Sequence, residues 1–332
     1  MICLGIESTA HTFGCGIVSD SNGTCNVLAN EKSSYTTKQG GIHPAAAGDH
    51  HFENAPRVIK AALEKANLQW KDIDVIAFSQ GPGLAPCLRV GAIAARALSL
   101  YYEKPLVGVN HCVAHVEIGK AMTNARDPIV VYASGANTQI VGFESGRYRV
   151  YGETLDIGIG NLLDAFGRSL GMGFPAGPKI DAMYFEADRE EYIELPYTVK
   201  GMDLVFSGLQ TAGEQLAGRA EIDKKQLAFS LMHTAFAELT EVAERALAHT
   251  EKKELMLTGG VAASKALREM MENMCKARNA AFFVPPIGVC VDNGAQIAWL
   301  GLIEHKAGIS TKISNSGILP KQRTDQIDVQ WQ

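Results

Sequence analysis

Short apolar runs recur along the chain, set off by glycines and polar turns. They alternate with longer stretches in which apolar positions return every three or four residues. Residues 2–7 (ICLGIE) read as a buried strand, 13–19 (FGCGIVS) as a second, and 25–33 as a third that pairs with it. A helical stretch follows around 47–67, with Phe52, Ile59, Leu63 and Leu68 near helical spacing. Next come a strand at 74–79, an apolar helix from Cys87 to Tyr102, a strand at 105–110, and a helix from about Ala114. At residue 128 the order starts again. IVVYAS, TQIVGFES and RYRVYGE read as three strands, and a helical region follows with a Gly- and Pro-bearing insertion near 170–210. The chain continues with a long helix at 227–249, a strand at 254–259, a helix at 264–278, a strand at 281–286 and a helix at 292–305.

Both halves thus read β-β-β-α-β-α-β-α. The βαβ parts imply parallel strands covered by helices, and the leading triplets an antiparallel meander at one edge. The fold class is α/β. A duplicated unit of this kind, with a cleft between halves, is the plan shared by actin-like ATPases, sugar kinases and Hsp70. Two ordinary doubly wound domains are the other reading. The halves divide as 1–124 and 125–325, with the insertion at about 165–225 and a tail, 309–332, packing back. Ligands in open α/β sheets bind beyond the carboxyl ends of strands. Here that points to the loops after about residues 7, 80, 110, 135, 259 and 287.

Composition narrows the function classes. The chain has 332 residues, 46% of them apolar and 20% charged, which suits a folded protein of about two domains. A net charge of −5 excludes nucleic-acid binding through bulk positive charge, so contact with RNA calls for a local patch or partner subunits. The 33 glycines point to positive φ or close ligand approach at many positions. The seven cysteines are odd in number, widely spaced and without a C-x-x-C, which reads as free thiols in a reducing, cytoplasmic compartment. The start MICLGIESTAHT lacks the features of a signal peptide, and no run is apolar and long enough for a membrane span.

Four glycine-bearing loops carry candidate chemistry: Gln80-Gly81-Pro82-Gly83, Ser134-Gly135-Ala136-Asn137-Thr138, Gly173 to Pro178, and Thr258-Gly259-Gly260-Val261, the last leading to a helix that Ser264 can cap. Such loops let backbone approach a phosphate or a base. No G-x-x-x-x-G-K-[ST] occurs, which excludes a Walker-type phosphate loop. Asp164 and Asp181 flank the insertion and can hold ribose hydroxyls, or serve as helix caps. His111 and His115 stand four apart, so on a helix they share a face and can bind one metal. A metallopeptidase would need Glu after the first histidine as its base, and Cys112 stands there. Asp292 is the natural third ligand, unless it is the N-cap of the last helix. Two histidines and one carboxylate favour iron or zinc over magnesium. His43-Pro44 and His50-His51 fall in a polar loop leading to a helix, while His233, His249 and His305 read as helix-face residues.

Several motifs together make the chain resemble a known family. They are Gly5-Ile6-Glu7, Ala10-His11-Thr12-Phe13-Gly14, Gly81-Pro82-Gly83 with Cys87-Leu88-Arg89-Val90-Gly91, and Asn110-His111-Cys112-Val113-Ala114-His115. Ser134-Gly135-x-Asn137-Thr138-Gln139, Phe206-Ser207-Gly208-Leu209, Leu257-Thr258-Gly259-Gly260-Val261-Ala262 and Val291-Asp292-Asn293-Gly294-Ala295 complete the set. From Ile2 to Trp331 the chain resembles the tRNA N6-adenosine threonylcarbamoyltransferases of the archaeal and eukaryotic branch, the catalytic subunit of the KEOPS complex.

The resemblance implies transfer of a threonylcarbamoyl group from threonylcarbamoyl-AMP to N6 of adenosine 37 in tRNAs reading ANN codons, with release of AMP. It implies metal ligands at His111, His115, Tyr132 and Asp292, and substrate-binding positions at Tyr132, Ala133, Ser134, Gly135, Ala136, Asn137, Asp164, Gly177, Asp181 and Ser264. The adenylate, or ATP or AMP in its place, is expected against Gly259-Gly260. Implied partners are tRNA and KEOPS subunits, among them a small atypical protein kinase that some archaea fuse C-terminally. Three departures stand out: Ala136 in place of Gly, Ser264 in place of Asn, and His43-Pro44-Ala45-Ala46-Ala47 where the family has H-P-R-E-A. No general base is evident; His43 or a group of the substrate can serve. An actin-like ATPase, a sugar kinase, a metallopeptidase and a nucleotide-binding scaffold without turnover remain as other readings.

Overall fold

The computed structural model describes residues 1–37 and 41–331. The first sheet has strand order β3-β2-β1-β4-β5, built from β1 (Ile2–Glu7), β2 (Thr12–Ser21), β3 (Thr24–Ser34), β4 (Val75–Gly81) and β5 (Leu106–Asn110). β1 to β3 form the antiparallel meander, and β1, β4 and β5 run parallel. Helices α1 (Pro44–Ala66) and α2 (Ala85–Tyr101) pack on its outer face, where Ile6, Phe13, Ile59, Phe78 and Ala92 share one core. The second sheet repeats the plan. Its strands are β6 (Ile129–Ala133), β7 (Thr138–Glu144), β8 (Arg147–Glu153), β11 (Glu254–Thr258) and β12 (Ala281–Phe283), in the order β12-β11-β6-β7-β8. Its outer face carries α4 (Ile159–Ser169), α5 (Gly177–Glu186), α6 (Phe206–Ala217), α7 (Lys224–Thr250) and α8 (Lys265–Ala277), with a small hairpin of β9 (Val199–Lys200) and β10 (Asp203–Leu204) beside them.

The remaining helices decide where chemistry can occur. α3 (His111–Met122), after β5, and α10 (Gly294–Lys306), after the short α9 (Ile287–Cys290), lie between the two sheets. Mostly small and β-branched side chains fill this layer: Cys3, Ala77, Val107, Val113, Val130, Met256, Ala295 and Ala298 belong to one buried cluster spanning both halves. α10 comes so close to the first sheet because glycines line the track. A Cβ on Gly5 or Gly16 would meet the backbone of Ala298, or of Gly294 and Ala295. These glycines admit a helix, where composition alone points to ligand approach.

The strand pattern recurs as read, with ends moved by a residue or three. Four expectations change. Residues 281–286 hold only the short β12. His50 and His51 lie inside α1, not in a loop, because His43 caps that helix and Pro44 opens it. Phe52 is 75% exposed, since the buried stripe of α1 runs through Ala47, His51, Ala55, Val58 and Ile59. α3 starts three residues early, at His111, because the Asn110 side chain accepts the Val113 N–H.

Glu304 on α10 and Glu117 on α3 are both buried in this central layer. Burial, then the nearby Glu117, pushes the Glu304 carboxyl up to about 8. The folded state therefore binds a proton that the unfolded chain releases near pH 4.5, and stability falls as pH rises from there to about 8. Glu304→Gln is expected to match the wild type at pH 5 and to exceed it by a few kcal/mol at pH 8 in chemical denaturation. A parallel pH dependence in both proteins would contradict this.

Candidate metal centre and neighbouring glycine loops

β5 delivers Asn110, whose Oδ1 accepts the Val113 N–H at 3.1 Å and so places His111 in the first helical turn. His115 then falls on the same face, its ring centroid 4.7 Å from that of His111. From the other half, Asn293 caps α10 by accepting the Gln296 N–H at 3.1 Å. Asp292 is therefore not the cap; it stands just outside the helix and points its carboxylate at the histidines. Asp292 Oδ1 lies 3.4 Å from His111 Nε2 and 3.3 Å from His115 Nε2. One donor atom from each of the three residues lies within 4.8 Å of the others.

Sequence reasoning missed two residues behind this cluster. Glu7, at the end of β1 and fully buried, places Oε2 2.9 Å from His111 Nδ1. Its other oxygen accepts the Thr9 N–H at 2.6 Å and the Thr9 hydroxyl. Gln296 places Nε2 3.3 Å from His111 Nδ1 and 3.2 Å from His115 Nε2, and its Oε1 accepts from Asn293 Nδ2 at 3.1 Å. A carboxylate at the carboxyl end of a strand was the available signal for Glu7. Nothing in the sequence marks Gln296 apart from its place one turn into α10.

Burial opposes charge on His111, yet Glu7 and Asp292 outweigh it and raise its pKa well above the usual imidazole range. Burial lowers that of His115. Asp292 is held well below the usual carboxylate range by the two histidines, despite burial. The Glu7 and Asp292 carboxylates thus call for a positive charge between the rings. The donor set fits a metal. Glu7 binds the far nitrogen of His111 and leaves Nε2 toward Asp292, an arrangement that fixes a ligating imidazole. His115 Nδ1 is buried and finds no hydrogen-bond partner among the described residues, so Nε2 carries that ring's polar contacts. Glu7→Gln is expected to weaken zinc binding by about 10- to 100-fold in calorimetric titration. Unchanged affinity would show that Glu7 does not orient His111.

Tyr132, at the end of β6, is buried with its ring 4.9 Å from His115, and burial raises its hydroxyl pKa well above the usual range. Ala133 ends β6, and the loop from Ser134 to Asn137 closes on itself through Ser134 N–H to Asn137 O at 2.8 Å. Its carbonyls accept two N–H groups in the first turn of α4: Gly160 to Ser134 O at 3.1 Å and Asn161 to Gly135 O at 2.9 Å. Ala136 is exposed and lies outside the positive-φ region, so the fold accommodates its methyl. Asn137 Nδ2 reaches the Cys112 thiol at 3.7 Å, linking this loop to the metal helix.

Asp164 accepts the Ala176 N–H at 2.7 Å and so tethers the loop before Gly177; burial raises its pKa. Ser264 caps α8 and donates to Asp181 at 2.5 Å, so this hydroxyl spans two substrate candidates. Gly259 has φ +94° and no room for a Cβ against Ala133 O, while Gly260 is open. Gly81 and Gly83 do something else: they receive the chain at Leu319 and Pro320. His43 is exposed and caps α1 through Ala46 N–H at 3.4 Å.

Two sheets of equal order, with a two-histidine, one-carboxylate cluster where the central helices start, define an actin-like ATPase fold bearing a candidate metal centre. Among solved structures, HypF from T. kodakarensis matches with TM-score 0.63 at 16% identity, over 90% of this chain and 47% of that one. Component A of the Acidaminococcus fermentans (R)-2-hydroxyglutaryl-CoA dehydratase matches with TM-score 0.55 at 13% identity, over 91% and 97%. A family model, TsaD: tRNA N6-adenosine threonylcarbamoyltransferase, matches residues 26–299, and the chain belongs to that family. The enzyme of that name from Thermococcus sibiricus is 54% identical over the full length of both chains. A probable bifunctional tRNA threonylcarbamoyladenosine biosynthesis protein of Methanocaldococcus jannaschii is 50% identical over all of this chain and 60% of its own length. Family and relatives place the chain among transferases of tRNA threonylcarbamoyladenosine biosynthesis, over the scaffold reading.

Proposed function

We propose that this chain transfers the threonylcarbamoyl group of threonylcarbamoyl-AMP to N6 of adenosine 37 in tRNAs reading ANN codons, releasing AMP. The observation that carries the reading is the His111–His115–Asp292 cluster backed by the buried Glu7, in a chain of this family. Iron or zinc suits the donor set, with Tyr132 beside it as a further ligand, and such an ion supplies Lewis acidity toward the donor's carbonyl or phosphate oxygen.

The protein's own residues bind and orient. Asp164 and Asp181, each tethered by a hydrogen bond, present carboxylates to the ribose hydroxyls. The 134–137 loop, pinned to α4, and the Gly259-Gly260 backbone receive the rest of the nucleotide. The adenine amine is a weak nucleophile, so orientation supplies much of the rate. His43 is committed to helix capping, which favours a group of the substrate as proton acceptor.

The halves 1–124 and 125–325 bound this cleft. A chain of net charge −5 needs help to hold tRNA, and KEOPS-type subunits, including a small atypical kinase, are the proposed source, in the cytoplasm. The relatives named bifunctional are longer than this chain, which supports a partner activity joined to the transferase in one chain. AMP release from threonylcarbamoyl-AMP tests the reading. It should depend on tRNA and vanish when adenosine 37 is replaced by guanosine. Release indifferent to that base would overturn it.

A further inference from the structure

The segment after α10 adds no layer to the fold. It crosses from one sheet to the other and touches the metal helix on the way. Leu319 donates its N–H to Gln80 O at 2.7 Å, and Pro320 O accepts from Gly83 N–H at 3.2 Å, both at the end of β4. Asn110 Nδ2 then donates to Gln322 Oε1 at 3.3 Å and to Arg323 O at 3.4 Å. Thr324 is buried and donates to Gln139 Oε1 on β7 at 2.9 Å; its hydroxyl also meets the Cys112 thiol. Further on, Val329 N–H reaches Gly146 O at 2.9 Å, and Trp331 Nε1 donates to Glu117 Oε1 at 2.9 Å.

The contacts bracket the two histidines. Asn110 precedes His111, Cys112 follows it, and Glu117 lies two residues past His115. The Asn110 contact explains how a distant segment reaches the site. An asparagine side chain can present its oxygen or its nitrogen to a helix start. With two acceptors from the 322–323 segment on its nitrogen, Oδ1 stays toward Val113, the cap holds, and His111 keeps its place in the first turn. Ligand placement within a fraction of an ångström decides metal affinity.

We propose that residues 319–331 form a positioning strap that sets helix α3, and with it His111 and His115, for metal binding. Among the described residues the hydrogen bonds of this segment to α3 and its cap go to the neighbours of the histidines, so it acts through Asn110, Cys112 and Glu117. The inference rests on the metal-centre reading given above.

The test is cobalt(II) titration of the full chain, followed by its visible absorption, with thermal melting alongside. Gln322→Met removes the acceptor for Asn110 and Thr324→Val removes the buried hydroxyl. Each is expected to weaken cobalt binding about tenfold, the low end for loss of a group that orients a ligand, and to change the cobalt spectrum. Gln322→Glu keeps the acceptor and should retain wild-type binding. Lys60→Gln, which loosens the exposed pair with Glu64 on α1 and lies outside the strap, should leave binding unchanged. Wild-type affinity and spectrum in both Gln322→Met and Thr324→Val would overturn the strap. So would an equal loss in Lys60→Gln, which would mean general loosening. Failure of the wild type to take up cobalt would instead sink the metal reading, and the strap with it.

Discussion

Asp292→Ala is expected to empty the metal centre and to slow threonylcarbamoyl transfer about a thousandfold, with the fold retained. Asp292 is the one acidic member of the cluster, and its Oδ1 lies within 3.4 Å of both histidines. Without it the two imidazoles face each other with Glu7 alone to balance a cation. The lost charge stabilisation is several kcal/mol, and each 1.36 kcal/mol is tenfold in rate, which gives about a thousandfold. The fold should survive because the helix cap belongs to Asn293 and Asp292 lies outside the helix. Metal content by elemental mass spectrometry and AMP release, with circular dichroism as a check, measure the effect. A variant that keeps full metal and rate would remove Asp292 from the site.

Gly16→Ala is the largest expected effect on the fold. Its new methyl would meet the main chain of Gly294 and Ala295, which cannot rotate aside as a side chain can. Either α10 lifts from the first sheet or β2 bends away. Overpacking costs about 1–3 kcal/mol and occasionally more, and a clash with main chain puts this variant at the upper end. Asp292 immediately precedes that helix, so metal affinity should fall together with stability. Gly288→Ala is the control, since a Cβ there has nothing within 4 Å. Denaturant midpoints should separate the two variants clearly; equal midpoints would mean that the glycine track does not set the approach of α10.

The glycine track also shows what the sequence could not convey. Alternating and apolar runs register which side of a strand is buried, so both meanders and the doubled order were legible. A glycine, however, looks the same whether it admits a phosphate, a base or a helix. Gly5 and Gly16 serve α10, Gly81 serves the returning chain, and Gly259 alone among these combines positive φ with a strand-end loop. Phe52 stands near helical spacing with Ile59 and Leu63 yet is exposed, because the small residues Ala47 and Ala55 lie on the buried stripe of α1. His111, His115 and Asp292 were legible as a set, because residue type and place after a strand both pointed the same way. Glu7 and Gln296 were not. Their role depends on two helices from opposite halves sharing one layer, a long-range fact that no local spacing carries.

The most direct measurement is nucleoside mass spectrometry of unmodified tRNA incubated with threonylcarbamoyl-AMP and this protein, with and without KEOPS-type partner subunits. The His111→Ala variant runs beside it. Threonylcarbamoyladenosine should appear with the wild type and be absent with the variant. Its absence from every wild-type reaction, or equal amounts with the variant, would contradict a transferase built on this metal centre.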